Sequence, residues 1–389
     1  MLYRKLGDTG VDVSILGFGC MRLPVIDGKI GRIDEIQATK MLHYAIDNGV
    51  NYVDTAYPYH SPAFPGPGES EPFVGRALCG GYRDRVNLAT KLPSWMIDSG
   101  RDMERLLDEQ LARLKTDRID FYLVHALNRN YFPKLADLGV FEFLDRAVKS
   151  GKIRFAGFSF HDEFPLFKRI IDSYNWSFCQ IQMNYMDLEY QAGRAGMDYA
   201  ARKGVGVVVM EPLRGGSLTS NLPADVAYAF NVFGIKRSPA EWAFRYVWDL
   251  PQVGTALSGM SELGHVIENV RYANDGLANS LSAPERDLID KVRRSFRAGI
   301  KVGCTACQYC MPCPDGVNIP GCFTQYNNAY IFGDVARAKA TYNMMYQAAE
   351  RASRCTRCGL CVKRCPQRIA VIEKLADVAA LFESDAARN

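Results

Sequence analysis

Eight short apolar segments, each followed by a stretch with helical periodicity, recur through the first 275 residues and constrain the fold more than any other feature. Segments of nearly continuous apolar character are typical of parallel strands whose two faces are both covered. Eight strand–helix units over about 250 residues favour a closed (β/α)8 TIM barrel, an α/β fold. An open doubly wound sheet is the alternative, but no Gly-x-Gly-x-x-Gly follows the first segment. The predicted strands are residues 15–23, 51–56, 86–92, 119–126, 153–160, 178–185, 204–213 and 253–260.

Composition and charge narrow the class of protein. The chain is 48% hydrophobic, and its net charge of only +4 argues against nucleic acid as a main partner. It has no apolar run of roughly 18 residues, so we expect no membrane segment. The opening "MLYRKLGDTG" lacks the apolar core of a signal peptide, so we expect a cytoplasmic protein. The segment "YRKLGDTGVDVS" predicts a hairpin that precedes the barrel.

Four polar, ionisable side chains follow three neighbouring predicted strands. Asp54 follows the second strand, Lys91 the third and His125 the fourth, while Tyr59 lies on the loop after Asp54. Because the chemistry of such barrels gathers at the C-terminal ends of the strands, we expect these side chains to converge. Each residue alone has a structural explanation, and the combination favours a catalytic one.

This set of side chains suits the reduction of a carbonyl group. The carbonyl oxygen needs a proton donor, and a phenol has an ordinary pKa of about 10. A neighbouring Lys91 ammonium, held by Asp54, would make the Tyr59 phenol more acidic. His125 would hydrogen-bond the carbonyl oxygen and orient the substrate.

Seven motifs, in this order and spacing, resemble the aldo-keto reductases: "LGFGCMRLP", "NYVDTAYPY", "LATKL", "YLVHAL", "GFSFH", "MEPLRGG" and "SGM…ENV". The resemblance covers roughly residues 1–275. It implies a (β/α)8 barrel that uses a nicotinamide cofactor without metal, with NADP as the expected cofactor and NAD as the alternative. It also implies the catalytic tetrad Asp54, Tyr59, Lys91 and His125, acting on a small-molecule carbonyl or alcohol substrate.

The resemblance further implies ten cofactor-binding residues. They lie at the carboxamide (Ser159, Gln180), beside the nicotinamide ring (Met210), along the pyrophosphate (Leu213, Gly215, Ser217) and at the adenosine end (Ser261, His265, Glu268, Asn269). The chain departs from the family pattern in two places. Phe160 replaces an Asn, so that amide contact is either absent or supplied by Asn184. His265 occupies the place of a basic residue that grips the 2′-phosphate.

Nine of the twelve cysteines fall between Cys304 and Cys365, in "CTACQYCMPCP" (304–314), "CTRCGLCVKRCP" (355–366) and the isolated Cys322. The second motif has the C-x2-C-x2-C-x3-C-P spacing of two-cluster ferredoxins, in which the fourth Cys binds the other cluster. Zinc is the alternative, but its cysteines usually form separated pairs. We therefore expect two [4Fe–4S] clusters. One would be held by Cys304, Cys307, Cys310 and Cys365, and the other by Cys313, Cys355, Cys358 and Cys361.

The first motif does not determine which of its cysteines bind one cluster together. Its short spacing would also allow Cys307, Cys310 and Cys313 to be the three ligands from this motif. With the first assignment, Cys322 is spare. Five cations crowd the second motif and would offset the negative charge of the clusters: Arg354, Arg357, Lys363, Arg364 and Arg368.

The region around these motifs reads as mainly helical, with helices expected at 283–296, between the motifs and at the C-terminus. It resembles the helical two-cluster ferredoxin modules. The predicted domains are a barrel over 1–298 and an iron–sulfur ferredoxin-like domain over 299–389.

Two functions remain open from the sequence. The first is NAD(P)H-dependent reduction of an aldehyde or ketone, or the reverse oxidation of an alcohol, with clusters for electron transfer, redox sensing or support. The alternative is an electron-transfer or redox-sensing protein, whose barrel binds a nicotinamide cofactor with little turnover. The clusters also suggest a redox partner protein.

Overall fold

The computed structural model describes residues 1–62, 66–220, 222–304, 310–365 and 367–384. It confirms the predicted fold class. Eight parallel strands close into a barrel in which β3 to β10 pair in chain order and β10 closes against β3. The strands are Tyr3–Lys5 (β1), Asp12–Ser14 (β2), Leu16–Gly19 (β3), Tyr52–Asp54 (β4), Asn87–Leu92 (β5), Ile119–Leu127 (β6), Ile153–Phe160 (β7), Phe178–Gln182 (β8), Gly206–Met210 (β9) and Val253–Gly259 (β10).

Helices follow the strands, and several begin with side-chain caps that the sequence supplies. Asp34 accepts a hydrogen bond from the backbone of Gln37, and Ser99 forms a capping box with Asp102. The helices are Glu35–Asp47 (α1), Ser70–Ala77 (α2), Gly100–Leu114 (α3), Tyr131–Asp137 (α4), Val140–Lys149 (α5), Phe164–Ser173 (α6), Gly193–Arg202 (α7), Ala224–Val232 (α8), Pro239–Asp249 (α9), Leu263–Tyr272 (α10), Ala283–Ala298 (α11), Ile319–Ile331 (α12), Val335–Met345 (α13), Leu360–Arg364 (α14) and Val371–Phe382 (α15).

The predicted N-terminal hairpin is present as the antiparallel pair β1–β2. Its turn carries Leu6 into the barrel, where Leu6 packs in the cluster that includes Phe121 and Phe178. Gly7 lies so close to the start of β9 that a side-chain carbon there would be 2.3 Å from the backbone nitrogen of Gly206. The hairpin therefore closes the N-terminal end of the barrel and leaves the C-terminal strand ends for a site.

Two compact units divide the chain: Met1–Leu218 with Ser238–Ser282, and Thr219–Arg237 with Ala283–Asn389. The first contains the whole barrel. In the second, α8 packs on α11, and Arg237 on the segment after α8 forms an ion pair with Glu285 of α11. The domain boundary at 298/299 stays a prediction, although by these contacts α8 and α11 group with the C-terminal region.

The second unit is mainly helical and has its own apolar core. That core includes Phe323 and Tyr342, and the thiol of Cys361 is part of it. The stretch between the cysteine motifs, predicted as helical, is two helices, because α12 ends before Gly333 and the left-handed backbone at that glycine breaks the run.

Nowhere in the described ranges is a helix both long and apolar enough to span a bilayer.

Candidate active site

The structure brings Asp54, Tyr59, Lys91 and His125 together at the C-terminal end of the barrel. The ammonium of Lys91, fully buried, donates to Asp54 Oδ1 at 2.6 Å, to the carbonyl oxygen of Thr55 at 2.8 Å and to the Tyr59 hydroxyl at 3.3 Å. The same ammonium lies 4.8 Å from the centroid of the Tyr59 ring. Because β4, β5 and β6 are adjacent and parallel, three residues distant in sequence meet at one edge.

The loop that carries Tyr59 is held by a close backbone contact. A side-chain carbon at Gly68 would lie 2.0 Å from the carbonyl oxygen of Tyr59, so only glycine fits there. Arg113 donates to the carbonyl oxygen of Gly68 and, through Nε, to Glu71 Oε2 at 2.9 Å. The guanidinium therefore ties the Tyr59 loop to helices α2 and α3.

A buried polar network lies behind Lys91. The carboxylate of Glu71 has no exposed surface and accepts hydrogen bonds from Thr90 Oγ1 and Gln110 Nε2, each at 2.6 Å. Gln110 Nε2 also lies 3.0 Å from the carbonyl oxygen of Lys91, and Tyr122 donates to Gln110 Oε1 at 2.8 Å. The network fixes the backbone that presents Lys91, and sequence reasoning missed it. The only signal was polar residues at positions that a barrel helix buries.

The electrostatics of the tetrad differ in one respect from expectation. Burial raises the pKa of Tyr59 by more than the Lys91 ammonium lowers it, so the pKa of the phenol is higher than its ordinary value. Lys91 therefore acts on the phenol in the predicted direction, and burial opposes it in the protein without a cofactor. Burial disfavours the Lys91 ammonium, but Asp54 and Tyr59 outweigh it and raise the pKa of Lys91. At neutral pH the site holds a protonated phenol beside an ammonium.

His125 is neutral at physiological pH. Burial, with Lys91 and His161 nearby, holds the pKa of His125 well below its usual range. Its ring lies edge-on to Tyr59, with centroids 6.3 Å apart, and 5.1 Å from the nearer ring centroid of Trp95. Its Nδ1 is buried and has no hydrogen-bond partner among the described residues. A neutral imidazole can donate one hydrogen bond to a carbonyl oxygen.

A cavity of about 230 Å³ opens above these residues. Of the predicted residues, three of the tetrad and three of the cofactor set line it: Asp54, Tyr59, His125, Ser159, Gln180 and Met210. Sequence reasoning missed the others, all at or just beyond strand ends: Gly19, Met21, Arg22, His161, Glu211, Leu257 and Gly259. The strand-end rule that found the tetrad would have found most of these too.

The cavity fits a carboxamide. Gln180 Oε1 is buried without a hydrogen-bond partner in the part of the chain that the structure describes, and so can accept from an amide NH2. Ser159 Oγ accepts from the backbone of Ala126 at 2.7 Å, which leaves its hydroxyl proton to donate. Met210 lies 3.6 Å from Gln180 Nε2 and offers a soft apolar surface to a ring.

Leu213, Gly215 and Ser217 form the turn after β9, outside the cavity lining. Gly215 has a left-handed backbone that glycine adopts without strain. Arg214 Nε forms an ion pair with Asp187 at 3.1 Å and so anchors this turn.

The four residues predicted at the adenosine end lie at or near the start of α10. Ser261, His265 and Glu268 are exposed, and His265 Nε2 lies 3.0 Å from a carboxylate oxygen of Glu262. Asn269 is buried and donates to Ser258 Oγ at 3.0 Å, which joins α10 to β10. None of the four lines the cavity, so their cofactor roles stay predictions.

The cysteines of both motifs meet in the second unit. A single small pocket is lined by five thiols: Cys310, Cys313, Cys355, Cys358 and Cys361. Cys304 and Cys365 pack against the same apolar core, while Cys307 lies outside the described residues. The described cysteines are free thiols, and no three described metal-binding side chains converge closely enough for a single ion. Cysteine sulfurs grouped around one pocket are the ligand type that [4Fe–4S] clusters use.

Cys322 differs from these thiols. It is fully buried, lies 3.8 Å from the Tyr342 hydroxyl and does not line the pocket. Burial raises the pKa of its thiol to about 12, as expected of a structural cysteine.

Comparison with known proteins gives the family of this chain. A model of the Aldo/keto reductase family matches residues 15–293. The chain belongs to the aldo/keto reductase family. A model of a 4Fe-4S dicluster domain matches residues 303–370, after the barrel.

Several proteins similar to this chain have names or structures. A 6-dehydroglucose reductase of Novosphingobium aromaticivorans is 36% identical over 163 residues, covering 40% of this chain and 51% of that protein. The chain thus spans about half the length of this relative. The uncharacterized oxidoreductase YrpG of Bacillus subtilis is 31% identical to this chain. The match covers 56% of this chain and 68% of YrpG. The holo form of aldo-keto reductase AKR11C1 from Bacillus halodurans superimposes with a TM-score of 0.61 at 27% identity, covering 75% of this chain and 96% of that one.

The first departure from the family pattern, Phe160 in place of an Asn, has a structural explanation. Phe160 is fully buried and packs edge-on against Phe158 and Phe167, so it contributes to the core. Asn184 cannot easily replace the missing amide. Its amide donates to Asp187 and to the carbonyl of Glu211, and its oxygen accepts from the backbones of Met186 and Asp187.

Proposed function

We propose that the barrel catalyses the NAD(P)H-dependent reduction of an aldehyde or ketone, or the reverse oxidation of an alcohol. One observation carries this proposal. The Lys91 ammonium contacts both Asp54 Oδ1 and the Tyr59 hydroxyl, and Tyr59 and His125 line the same cavity. That arrangement provides a proton donor and an oxygen-binding donor at one point.

In the proposed mechanism the reduced nicotinamide supplies a hydride, and the protein handles the proton. Tyr59 gives its phenolic proton to the substrate oxygen, and its own oxygen then carries the charge. Lys91 stabilises that charge, because its ammonium already contacts the hydroxyl. Asp54 keeps Lys91 protonated, and His125 donates a hydrogen bond that orients the carbonyl.

The proposed cofactor contacts follow from the cavity. Gln180 Oε1 and the Ser159 hydroxyl supply one acceptor and one donor for the carboxamide, beside Met210. Preference for NADP over NAD would depend on the exposed start of α10, where His265 offers a weaker positive charge than Arg or Lys.

The proposed substrate is a small carbonyl compound. The cavity lining mixes charged and polar groups, such as Arg22, His161 and Glu211, with a few apolar ones. A relative is named a 6-dehydroglucose reductase, which supports including oxidised sugars beside simple aldehydes in the first substrate panel.

We further propose that the C-terminal module holds two [4Fe–4S] clusters on the eight cysteines of its motifs. The five thiols around one pocket support this. Such clusters pass one electron at a time, so they would serve a redox partner protein, sense redox state or support the fold.

The test is Tyr59→Phe in protein purified without oxygen. We expect kcat to fall by about 10²- to 10⁴-fold, because the phenyl ring has no proton to give, with the Kd for NADPH nearly unchanged. Tyr57→Phe is the matched control, since that hydroxyl bonds Glu109 outside the cavity. Retained turnover in Tyr59→Phe contradicts the assignment. Tight NADPH binding without turnover in the wild type would favour the alternative, an electron-transfer or redox-sensing protein.

A further inference from the structure

The second cysteine motif carries a cationic surface that the reductase chemistry does not use. Five cations fall within residues 354–368, and no Asp or Glu occurs between Arg351 and Glu373. All five are exposed, and none has an ion-pair partner in the part of the chain that the structure describes. We call Arg354, Arg357, Lys363, Arg364 and Arg368 the basic patch.

The basic patch adjoins the proposed cluster ligands. Arg364 lines the same pocket as the five thiols, and Cys358 of that pocket is itself exposed. Arg357 lies between Cys355 and Cys358 in sequence, and Lys363 lies between Cys361 and Cys365. A cluster bound here would therefore lie close to solvent and be surrounded by positive charge.

The need to offset the negative charge of a bound cluster accounts for only some of the cations in the basic patch. Arg364 is the one member that lines the thiol pocket, whereas the other four are exposed and do not line it. The nearby carboxylate of Asp315 is already engaged, since it accepts from Thr356 Oγ1 at 2.5 Å. Unpaired surface cations are the groups that steer an oppositely charged partner.

Apolar side chains lie among the cations. Leu360 is 40% exposed and Val362 39% exposed, both on the short helix α14. Leu360, Lys363 and Arg364 are three and four residues apart, so they share one side of that helix. A small surface that mixes apolar contacts with a rim of charge is typical of protein docking, and the encounters of redox proteins bury little area.

We propose that the basic patch is the docking surface for a small acidic electron-carrier protein of the ferredoxin or flavodoxin class. Nucleic acid fits less well, because Leu360 and Val362 interrupt the charge and the exposed Cys358 lies within the patch. The carrier exchanges one electron at this surface, so that it is oxidised by one electron as the adjoining centre is reduced by one, or the reverse. This inference rests on the cluster assignment in the proposed function and not on the role of Tyr59.

The test uses full-length protein with its clusters, purified without oxygen, and measures the Kd for an acidic two-[4Fe–4S] ferredoxin and for a flavodoxin. The charge-reversal variant is Arg357→Glu/Lys363→Glu/Arg368→Glu, which spares Arg364 in the thiol pocket. The control is Lys40→Glu/Arg101→Glu/Lys149→Glu, three exposed cations of the first unit without ion-pair partners there. Both variants change the net charge by the same amount.

We expect the charge-reversal variant to weaken binding by about tenfold or more, and the control to change the Kd less than about twofold. Binding by the wild type should also weaken with salt, because exposed charges are screened over about 10 Å at 0.1 M. Iron, sulfide and absorbance measurements confirm that each variant keeps its clusters. If the triple variant loses its clusters, the proposal is tested instead by two other measurements. These are the Kd of the single variant Lys363→Glu and the salt dependence of binding by the wild type.

Three results overturn the proposal: equal losses in the two variants, no measurable binding of either carrier, or tighter binding to a DNA duplex or to phosphatidylserine vesicles. The reductase proposal is tested apart from this one. Tyr59→Phe should bind the carrier as the wild type does, and the charge-reversal variant should reduce carbonyls with NADPH as the wild type does.

Discussion

Replacing Asp54 by Asn would leave the buried Lys91 ammonium without its counter-ion. In the native protein the Lys91 side chain has no exposed surface, that of Asp54 is 3% exposed, and their charged atoms are 2.6 Å apart. Removal of one partner of a buried ion pair costs about 3 to 5 kcal/mol of folding free energy, because the remaining charge stays desolvated. The side chains differ by one atom, so packing is nearly unchanged.

The cost of Asp54→Asn should depend on pH in a defined direction. Burial lowers the pKa of Lys91 in the native fold, but Asp54 and Tyr59 together raise it above its ordinary value, so its stabilising contribution is fully present below about 10.4 and is lost only as pH rises through the raised pKa. In the variant, burial acts without Asp54, and we expect the folded-state pKa to fall below the unfolded value. The unfolded chain then binds more protons, so the stability of the variant rises with pH through that window. The deficit should shrink from pH 7 to pH 9.5.

Tryptophan fluorescence during urea unfolding measures this effect in the barrel alone. All four tryptophans, Trp95, Trp176, Trp242 and Trp248, belong to the first unit. The matched control is Asp108→Asn, which breaks the exposed pair of Lys152 and Asp108 and should cost only about 0 to 1 kcal/mol. Turnover of Asp54→Asn should fall as well, most strongly toward pH 9.5, because Lys91 loses its proton there and a neutral amine no longer stabilises the Tyr59 oxygen. An equal cost in the two variants, or a deficit that does not change with pH, would refute the reasoning.

Two further substitutions test the buried network and the cluster assignment. Arg113→Met leaves the Glu71 carboxylate buried without its cation; it should cost about 3 to 5 kcal/mol at pH 7 by the same fluorescence assay. Burial already raises the pKa of Glu71. Arg113→Met should raise the pKa of Glu71 further, so the loss of stability caused by the substitution should become smaller toward pH 5. A loss of stability that does not change with pH contradicts this explanation. Cys361→Ser should remove roughly four irons per chain, whereas the buried Cys322→Ser should remove none. Equal iron content in the two variants would disprove the ligand set.

The barrel and the tetrad could be predicted because both follow from local pattern. A strand buried on both faces must be apolar, so Ile153–Phe160 was located to the residue. Asp54 and Lys91 interrupt apolar strands at their ends, and parallel pairing of β4 with β5 brings those ends together. The exact ends of the other strands could not be read, because apolar residues continue into the turns that follow them.

Other features depend on contacts between distant segments. The Glu71 network joins α2, β5 and α3, and no spacing in the sequence shows that Gln110 reaches the carbonyl of Lys91. The sign of the net pKa shift of Tyr59 could not be predicted either, since it is set by the balance between burial and a nearby cation. A pattern identifies the charged neighbour but not the depth of burial.

The tetrad is suited to the transfer of two electrons together, and the proposed clusters are suited to the transfer of one. The residues of these two sites belong to different units of the chain. All four tetrad residues belong to the first unit, and every described cysteine of the two motifs belongs to the second. A hydride carries two electrons together, whereas a [4Fe–4S] cluster passes one, so exchange between them requires a group that divides the pair. Each unit also has its own apolar core. For these reasons the proposed docking of a carrier at the basic patch should not need the Tyr59 proton, and the proposed carbonyl reduction at Tyr59 should not need the carrier.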